Sequence, residues 1–333
     1  MAKRVAISDV AARAGVSPTT VSHVVSGRRH VSEVTRARVR SVMDELGWEP
    51  NQLARSLRMQ RTQTIALIVP DITNPFYPSV ARGLLDVVSE PGYQVLIGNT
   101  DGSPSAEKDL VARMVTRSVD AIVFAGYYSK ASDVAAAVEA GIPVALMGGR
   151  KASAGIDVLT SDDLAAGEIA TRYLIRRGYH RIGFITGALG DGPPADRVKG
   201  YRRALTSAGL RFNSQLVVRE EFSRAGGAAG LQKLLELRKP PRAVLCTNDM
   251  VAIGALDVAR ARGLRVPDDL AVMGFDDIEA AALISPSLTT IAGDPREQGR
   301  AVGRVLLSRL EGTAASLPQR ILFAPSVVPR ESA

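Results

Sequence analysis

Ile7-Ser8-Asp9-Val10-Ala11-Ala12-Arg13-Ala14-Gly15-Val16-Ser17-Pro18-Thr19-Thr20-Val21-Ser22-His23-Val24-Val25-Ser26 carries two helical patterns separated by a turn. In the first, Ile7, Val10, Ala11 and Ala14 share one helical face, and Ser8 or Asp9 is placed to satisfy the free amides at its start. Gly15 can take a positive φ at the turn, Ser17 suits an N-cap, and Pro18 suits the first helical position, where its missing N–H costs nothing. In the second, Val21, Val24 and Val25 form the apolar stripe, Thr19, Ser22 and His23 face outward, and Gly27 closes the helix. A third helix restarts after Val31 with Ser32 as N-cap, runs through Val34, Val39, Val42, Met43 and Leu46, and stops at Gly47. Three short helices with a glycine-containing turn between the first two match the helix-turn-helix plan, whose second helix enters the major groove. Apolar periodicity alone fits a plain three-helix bundle equally well. The outward face favours base reading, because it shows small hydroxyls and one imidazole where a structural helix would show Glu and Lys.

Charge supports the same end of the chain. The 333 residues hold 42 Lys and Arg against 34 Asp and Glu, a formal +8, yet residues 1–61 alone hold 11 against 5. A positive field gathered in the first fifth of the chain suits a polyanion, since counterion release needs grouped cations. A solvated basic tail would lack the helix punctuation seen here. Next comes Pro50-Asn51-Gln52-Leu53-Ala54-Arg55-Ser56-Leu57-Arg58-Met59, basic and apolar on one side. It reads as a plain linker or as a helix too short to stand alone, which DNA or a partner would stabilise. In the second case the small Ala54 lets two symmetry-related copies approach and Leu57 wedges between base pairs from the minor groove.

From Ile65 onward, short apolar runs alternate with helical segments. Ile65–Val69, Val95–Ile97, Ala121–Phe124 and Val144–Leu146 read as buried strands, with helices near 78–89, 106–117 and 132–140. A second series has strands at Ile182–Ile185, Ala243–Cys246 and Ala271–Phe275, and helices near 163–177, 195–208, 225–237 and 249–262. Continuous apolar strands alternating with helices imply doubly wound parallel sheets, and two series imply two α/β lobes. Ligands of such sheets sit beyond the carboxyl ends of the strands, and a cleft between lobes is the natural place. Asp162, Arg197, Asn248 and Asp276 each follow a strand or open a helix there, although Asp162 and Asn248 would also serve as N-caps. Phe76, Tyr77 and Phe222 could stack on a sugar or purine face, or belong to the core, and the single Trp48 reads as packing.

Ile7-Ser8-Asp9-Val10-Ala11, Gly15-Val16-Ser17, Thr20-Val21-Ser22, Pro50-Asn51 and Ala54-Arg55-Ser56-Leu57 together resemble the DNA-binding module of LacI/GalR-type transcriptional regulators. The body resembles the periplasmic-binding-protein-like core of that family at Asp71-Ile72-Thr73-Asn74-Pro75-Phe76, Thr247-Asn248-Asp249-Met250, Gly274-Phe275-Asp276-Asp277 and Pro286-Ser287-Leu288-Thr289-Thr290, among others. The resemblance implies an all-α helix-turn-helix domain over 1–49 and a hinge over 50–61. It also implies a two-lobed core, with one lobe from 62–161 plus 293–324 and the other from 162–292 plus 325–333. It implies DNA contacts from Ser17, Pro18, Thr19, Thr20, Ser22, His23, Asn51, Ala54 and Leu57, and effector contacts at Asp162, Arg197, Asn248 and Asp276, Arg197 and Asp276 foremost. The expected function is repression from a palindromic double-stranded DNA operator by a homodimer. A small-molecule effector, a sugar or sugar derivative first and a purine second, is expected to control it. Three departures stand out. Gly148-Gly149-Arg150 replaces the Asp-Arg pair common after that strand, Gly293-Asp294 replaces the usual Arg-Gln, and Pro18 stands where many members present a base-contacting side chain. The chain ends at Ala333 without a leucine heptad, so a dimer rather than a tetramer is expected.

Other classes fit less well. A solute-binding protein would want a signal peptide, yet the basic start leads into a segment broken by Asp9 and Arg13, and no apolar run is long enough to span a membrane. Cys246, the only cysteine, has no disulfide partner. A cytoplasmic protein without membrane contact, metal or cofactor is expected. Catalytic motifs of the GxxxxGK[ST], GxSxG and HExxH kinds are missing, and no enzyme is expected.

Overall fold

The computed structural model describes residues 5–26, 29–49, 61–126, 131–148, 155–187 and 192–333, and the chain divides into two units, Met1–Thr62 and Gln63–Ala333. The first unit is helical: α1 (Ile7–Ala14), α2 (Pro18–Ser26) and α3 (Glu33–Glu45). Gly15 adopts φ 64° and ends α1 in the left-handed conformation, as the turn requires. Asp9, not Ser8, supports the start of α1, its carboxylate accepting the Ala6 N–H at 2.8 Å. Ser17 caps α2 by accepting the Thr20 N–H at 3.1 Å, and Ser32 caps α3 by accepting the Thr35 N–H. Val10, Ala11, Ala14, Val21, Val24, Val39 and Val42 form the core, with Trp48 packed against it. Val34 departs from expectation. It is 80% exposed, because it lies in the first turn of α3 on the side away from the Val39–Val42 stripe.

The second unit holds two parallel sheets. The larger contains β1 (Thr64–Val69), β2 (Gln94–Asn99), β3 (Ala121–Phe124), β4 (Val144–Met147), β5 (Ile156–Ser161) and β11 (Arg320–Phe323), ordered β11-β5-β4-β3-β1-β2. Its register aligns Ile65 with both Val95 and Ala121, so the apolar runs stack across the sheet. Helices α4 (Phe76–Val88) and α12 (Pro295–Glu311) cover one face, and α5 (Pro104–Thr116) with the short α6 (Ala135–Glu139) covers the other. The smaller sheet contains β6 (Ile182–Thr186), β7 (Val217–Arg219), β8 (Ala243–Cys246) and β9 (Ala271–Met273), ordered β7-β6-β8-β9. It is sandwiched between α7 (Asp163–Arg176) with α8 (Pro193–Ser207), and α9 (Arg224–Leu235) with α10 (Asp249–Ala261). β10 (Thr290–Ala292) and β12 (Ser326–Val328) pair antiparallel, and α11 (Glu279–Leu283) is one short turn.

The chain enters the α7–α8 layer directly from β5. α7 and α8 cross where Gly167 faces the Arg197 carbonyl and Gly200 faces the Leu164 carbonyl; a Cβ at either glycine would overlap that backbone. This close crossing sets the height of Arg197 above the sheet.

Candidate functional site

Two surfaces carry the chemistry. On the helical unit, Ser17, Pro18 and Thr19 are exposed at the start of α2, while Thr20, Ser22 and His23 are half-buried along it. The Ser17 and Thr20 hydroxyls lie 2.9 Å apart, so both take part in the cap of α2. Asn51, Ala54 and Leu57 lie outside the described residues.

In the larger unit a cleft of about 110 Å³ opens at the carboxyl ends of both sheets. Phe76 and Tyr77 enter it from the start of α4, with rings 5.2 Å apart and edge to face. Phe222, Asn248, Arg197 and Asp276 line the opposite wall. Six of the seven effector residues anticipated from sequence therefore share one cavity. The exception is Asp162, whose carboxylate caps α7 by accepting the Ala165 N–H at 3.0 Å and faces a neighbouring hollow. Its successor takes the place in the cleft. Asp163 accepts a hydrogen bond from Arg197 Nε at 2.8 Å.

Arg197 is held on every side. A second guanidinium nitrogen donates to the Thr247 carbonyl, and the guanidinium carbon lies 4.5 Å from the centre of the Phe275 ring. Burial works against its charge, yet Asp163 and Asp276 keep its pKa above the ordinary value. Burial pushes the Asp163 carboxyl up against the pull of Arg197. Burial also lifts Asp276 to about 7, with Arg197 opposing and Asp163 adding to the rise. Asp276 takes φ 107°, a conformation that few side chains adopt. Behind it, Asp249 is buried and raised well above the carboxylate range, and it accepts hydrogen bonds from Thr290 Oγ1 at 2.6 Å and the Ile278 N–H at 2.9 Å. One guanidinium thus serves several carboxylates. The cleft offers acceptors to a ligand's hydroxyl or N–H groups and aromatic faces to its ring, and among its described lining residues Arg197 is the only cation.

Asn248 accepts the Val251 N–H through Oδ1 at 2.9 Å, so its cap is real and it lines the cleft as well. Gln298, unanticipated from sequence, donates its amide to the Gly293 carbonyl at 2.6 Å and to Ser161 Oγ at 3.2 Å. It joins the end of β5 to the segment after β10. Cys246 is buried, and burial pushes its thiol well up, leaving no nucleophile there.

Residues 6–51 match the model of bacterial regulatory proteins of the lacI family, and residues 171–333 match that of the periplasmic binding protein-like domain. The HTH-type transcriptional regulator DegA of Bacillus subtilis (strain 168) is 35% identical over 98% of this chain and 97% of its own length. The chain belongs to the LacI family. The ribose operon repressor of Escherichia coli (strain K12) is 34% identical over 98% of this LacI-family chain and 99% of its own length. Among solved structures, a transcriptional regulator CelR–cellobiose complex superposes with TM-score 0.75 at 31% identity, covering 99% of this chain and 100% of that one. A lac repressor dimer bound to operator and an anti-inducer superposes with TM-score 0.86 at 25% identity, covering 99% of each chain. This LacI-family protein is a DNA-binding transcriptional regulator and not an enzyme. Among its described residues no helix is long and apolar enough to cross a membrane.

Proposed function

We propose that the protein is a cytoplasmic, homodimeric repressor that reads a palindromic operator and is released or engaged by a neutral sugar bound in the cleft. In this reading α2 enters the major groove with Thr19 and His23 reading bases and Ser17, Pro18, Thr20 and Ser22 setting its approach. Asn51, Ala54 and Leu57 hold and kink the operator centre. Arg197, Asp276 and Asn248 bind the sugar, Asp163 replaces Asp162 among the contacts, and Phe76, Tyr77 and Phe222 cover its ring. The lobes are 62–161 plus 293–324 and 162–292 plus 325–333, and the sugar changes their angle.

The supporting observation is the gathering of six anticipated residues on one cleft, with Arg197, the only guanidinium among its described lining residues, already engaged by Asp163 at 2.8 Å. A carboxylate excess with aromatic walls suits a polyhydroxyl compound better than an anion. A purine is the second reading, favoured by the Phe76 and Phe222 rings beside the Asp276 acceptor. Calorimetric titration with D-ribose, D-glucose, D-galactose, cellobiose, D-ribose 5-phosphate and hypoxanthine tests both. A neutral sugar that binds and alters operator affinity supports the proposal, and binding of the phosphate ester alone refutes it. By linkage, the factor by which the sugar changes operator affinity must equal the factor by which operator changes sugar affinity.

A further inference from the structure

We propose that Thr247 is a specificity-determining residue of the cleft, its hydroxyl bonding a neutral hydroxyl group of the effector, with Thr186 as the positioning residue that holds it. The assignment rests on the effector reading above. Among the described residues, Thr186 Oγ1 and Thr247 Oγ1 are the buried side-chain polar atoms that find no hydrogen-bond partner. Both residues are 1% exposed. A buried hydroxyl without a partner is destabilising, and such atoms are uncommon in folded proteins.

Their positions show why two occur together. β6 and β8 are parallel neighbours with Phe184 opposite Leu245 and Ile185 opposite Cys246, and the ladder continues through the Thr247 N–H, which donates to the Ile185 carbonyl at 2.8 Å. Thr186 and Thr247 are therefore side by side at the carboxyl ends of the two strands. Phe184 and Leu245 face the α7–α8 layer, and the period of two turns both threonines to that same side. Thr247 lines the cleft and its carbonyl accepts from Arg197. Thr186 stands behind it, next to Gly187, over which the Phe222 ring lies so closely that a Cβ there would strike the ring. Phe184, Leu245 and Phe275 pack on this side, and the nearby Arg197 guanidinium is already bonded to Asp163 and to the Thr247 carbonyl, so a ligand hydroxyl, which both donates and accepts, suits the two threonines. A ligand hydroxyl that donates to Thr247 Oγ1 leaves the Thr247 O–H to turn and donate to Thr186 Oγ1, which gives both atoms a partner.

Thr247→Val and Thr186→Val keep the side-chain shape and delete the hydroxyl, and Thr247→Ser restores it. In the ligand-free full-length protein, thermal unfolding of both valine variants is expected at or above the wild-type midpoint. A clearly lower midpoint would mean that the hydroxyls have a structural role and would overturn the assignment. With the sugar panel named above, a sugar that binds wild type is expected to bind Thr247→Val at least tenfold more weakly, Thr186→Val by a smaller factor, and Thr247→Ser nearly normally. Equal affinity in wild type and Thr247→Val overturns the assignment while leaving the effector reading intact. A panel in which no sugar binds wild type overturns that reading, and the assignment with it.

Discussion

Replacing Asp276 by Asn removes a charge that the folded protein holds at a cost. The carboxyl titrates at about 7 in the fold against 3.8 in an unperturbed setting. A raised carboxylate pKa means that the folded state binds more protons than the unfolded state between those two values, so stability falls as pH rises from about 4 to about 7 and stays low above that. At about 1.4 kcal/mol per unit, the penalty above pH 7 reaches about 4 kcal/mol, and the partial opening of Asp276 into the cleft lowers it toward about 2 kcal/mol. Asn carries no charge, matches the shape, and tolerates the positive φ at this position. Ligand-free Asp276→Asn should therefore melt higher than wild type above pH 7, by about 2 to 4 °C for each kcal/mol in a unit of this size. The advantage should shrink as pH falls and vanish near pH 4. Asp163 and Asp249 both repel the Asp276 carboxylate, so removing its charge also eases their own burial above pH 7 and adds to the gain in the same direction. Calorimetric melts of both proteins at matched pH values check this. A difference independent of pH, or a less stable Asn variant above pH 7, would show that Asp276 is a paired, stabilising charge and refute the reasoning.

Arg197→Ala should abolish the effector response in an operator mobility-shift titration while operator affinity without effector stays near wild type; a normal dose response would remove Arg197 from the site. Gly167→Ala should destabilise the unit by about 2 kcal/mol or more, read as a lower melting midpoint, because its Cβ would meet the Arg197 carbonyl; an unchanged melt would mean that α7 and α8 part cheaply. Arg309→Ala should cost about 3 kcal/mol or more in urea unfolding, since Arg309 grips the buried Asp157 through Nε and Nη2 at 2.9 and 2.8 Å and would leave that carboxylate uncompensated. A loss below about 1 kcal/mol would place the pair among ordinary surface bridges. Leu57→Ala should weaken specific operator binding and spare salt-sensitive nonspecific binding, measured as the ratio of the two; an unchanged ratio would discard the wedge.

The helix-turn-helix was legible because its punctuation is local. Gly15, Ser17, Pro18 and Ser32 each act within a few residues, and each stands where the sequence puts it. The central strands β1, β3, β4, β6 and β8 were legible because they are buried on both faces and read as apolar runs, whereas the equally buried β5 was not, since Asp157, Thr160 and Ser161 interrupt its run. β7, β10, β11 and β12 were not: they are three or four residues long, all but the mostly buried β10 hold only exposed or half-buried positions, and only their neighbours make them strands. α12 hid behind its arginines, although Pro295, the Ala301-Val302-Val305-Leu306 stripe and Gly312 would have marked it. Within the cleft, an Asp-Asp pair at the head of a helix cannot say which member caps and which turns inward, and one residue of phase separates Asp162 from Asp163. Gln298 and Thr247 work through partners more than a hundred and about fifty residues away in the chain, respectively, so no spacing announces them.

Selection from a random duplex DNA pool by the purified full-length protein, at stated salt and with and without the sugar that binds it, tests the central claim most directly. Enrichment of a palindrome with a flexible pyrimidine–purine step at its centre, changed in strength by the sugar, is the predicted result. Enrichment of no motif under either condition, or of a single asymmetric half-site, would contradict a dimeric effector-controlled repressor.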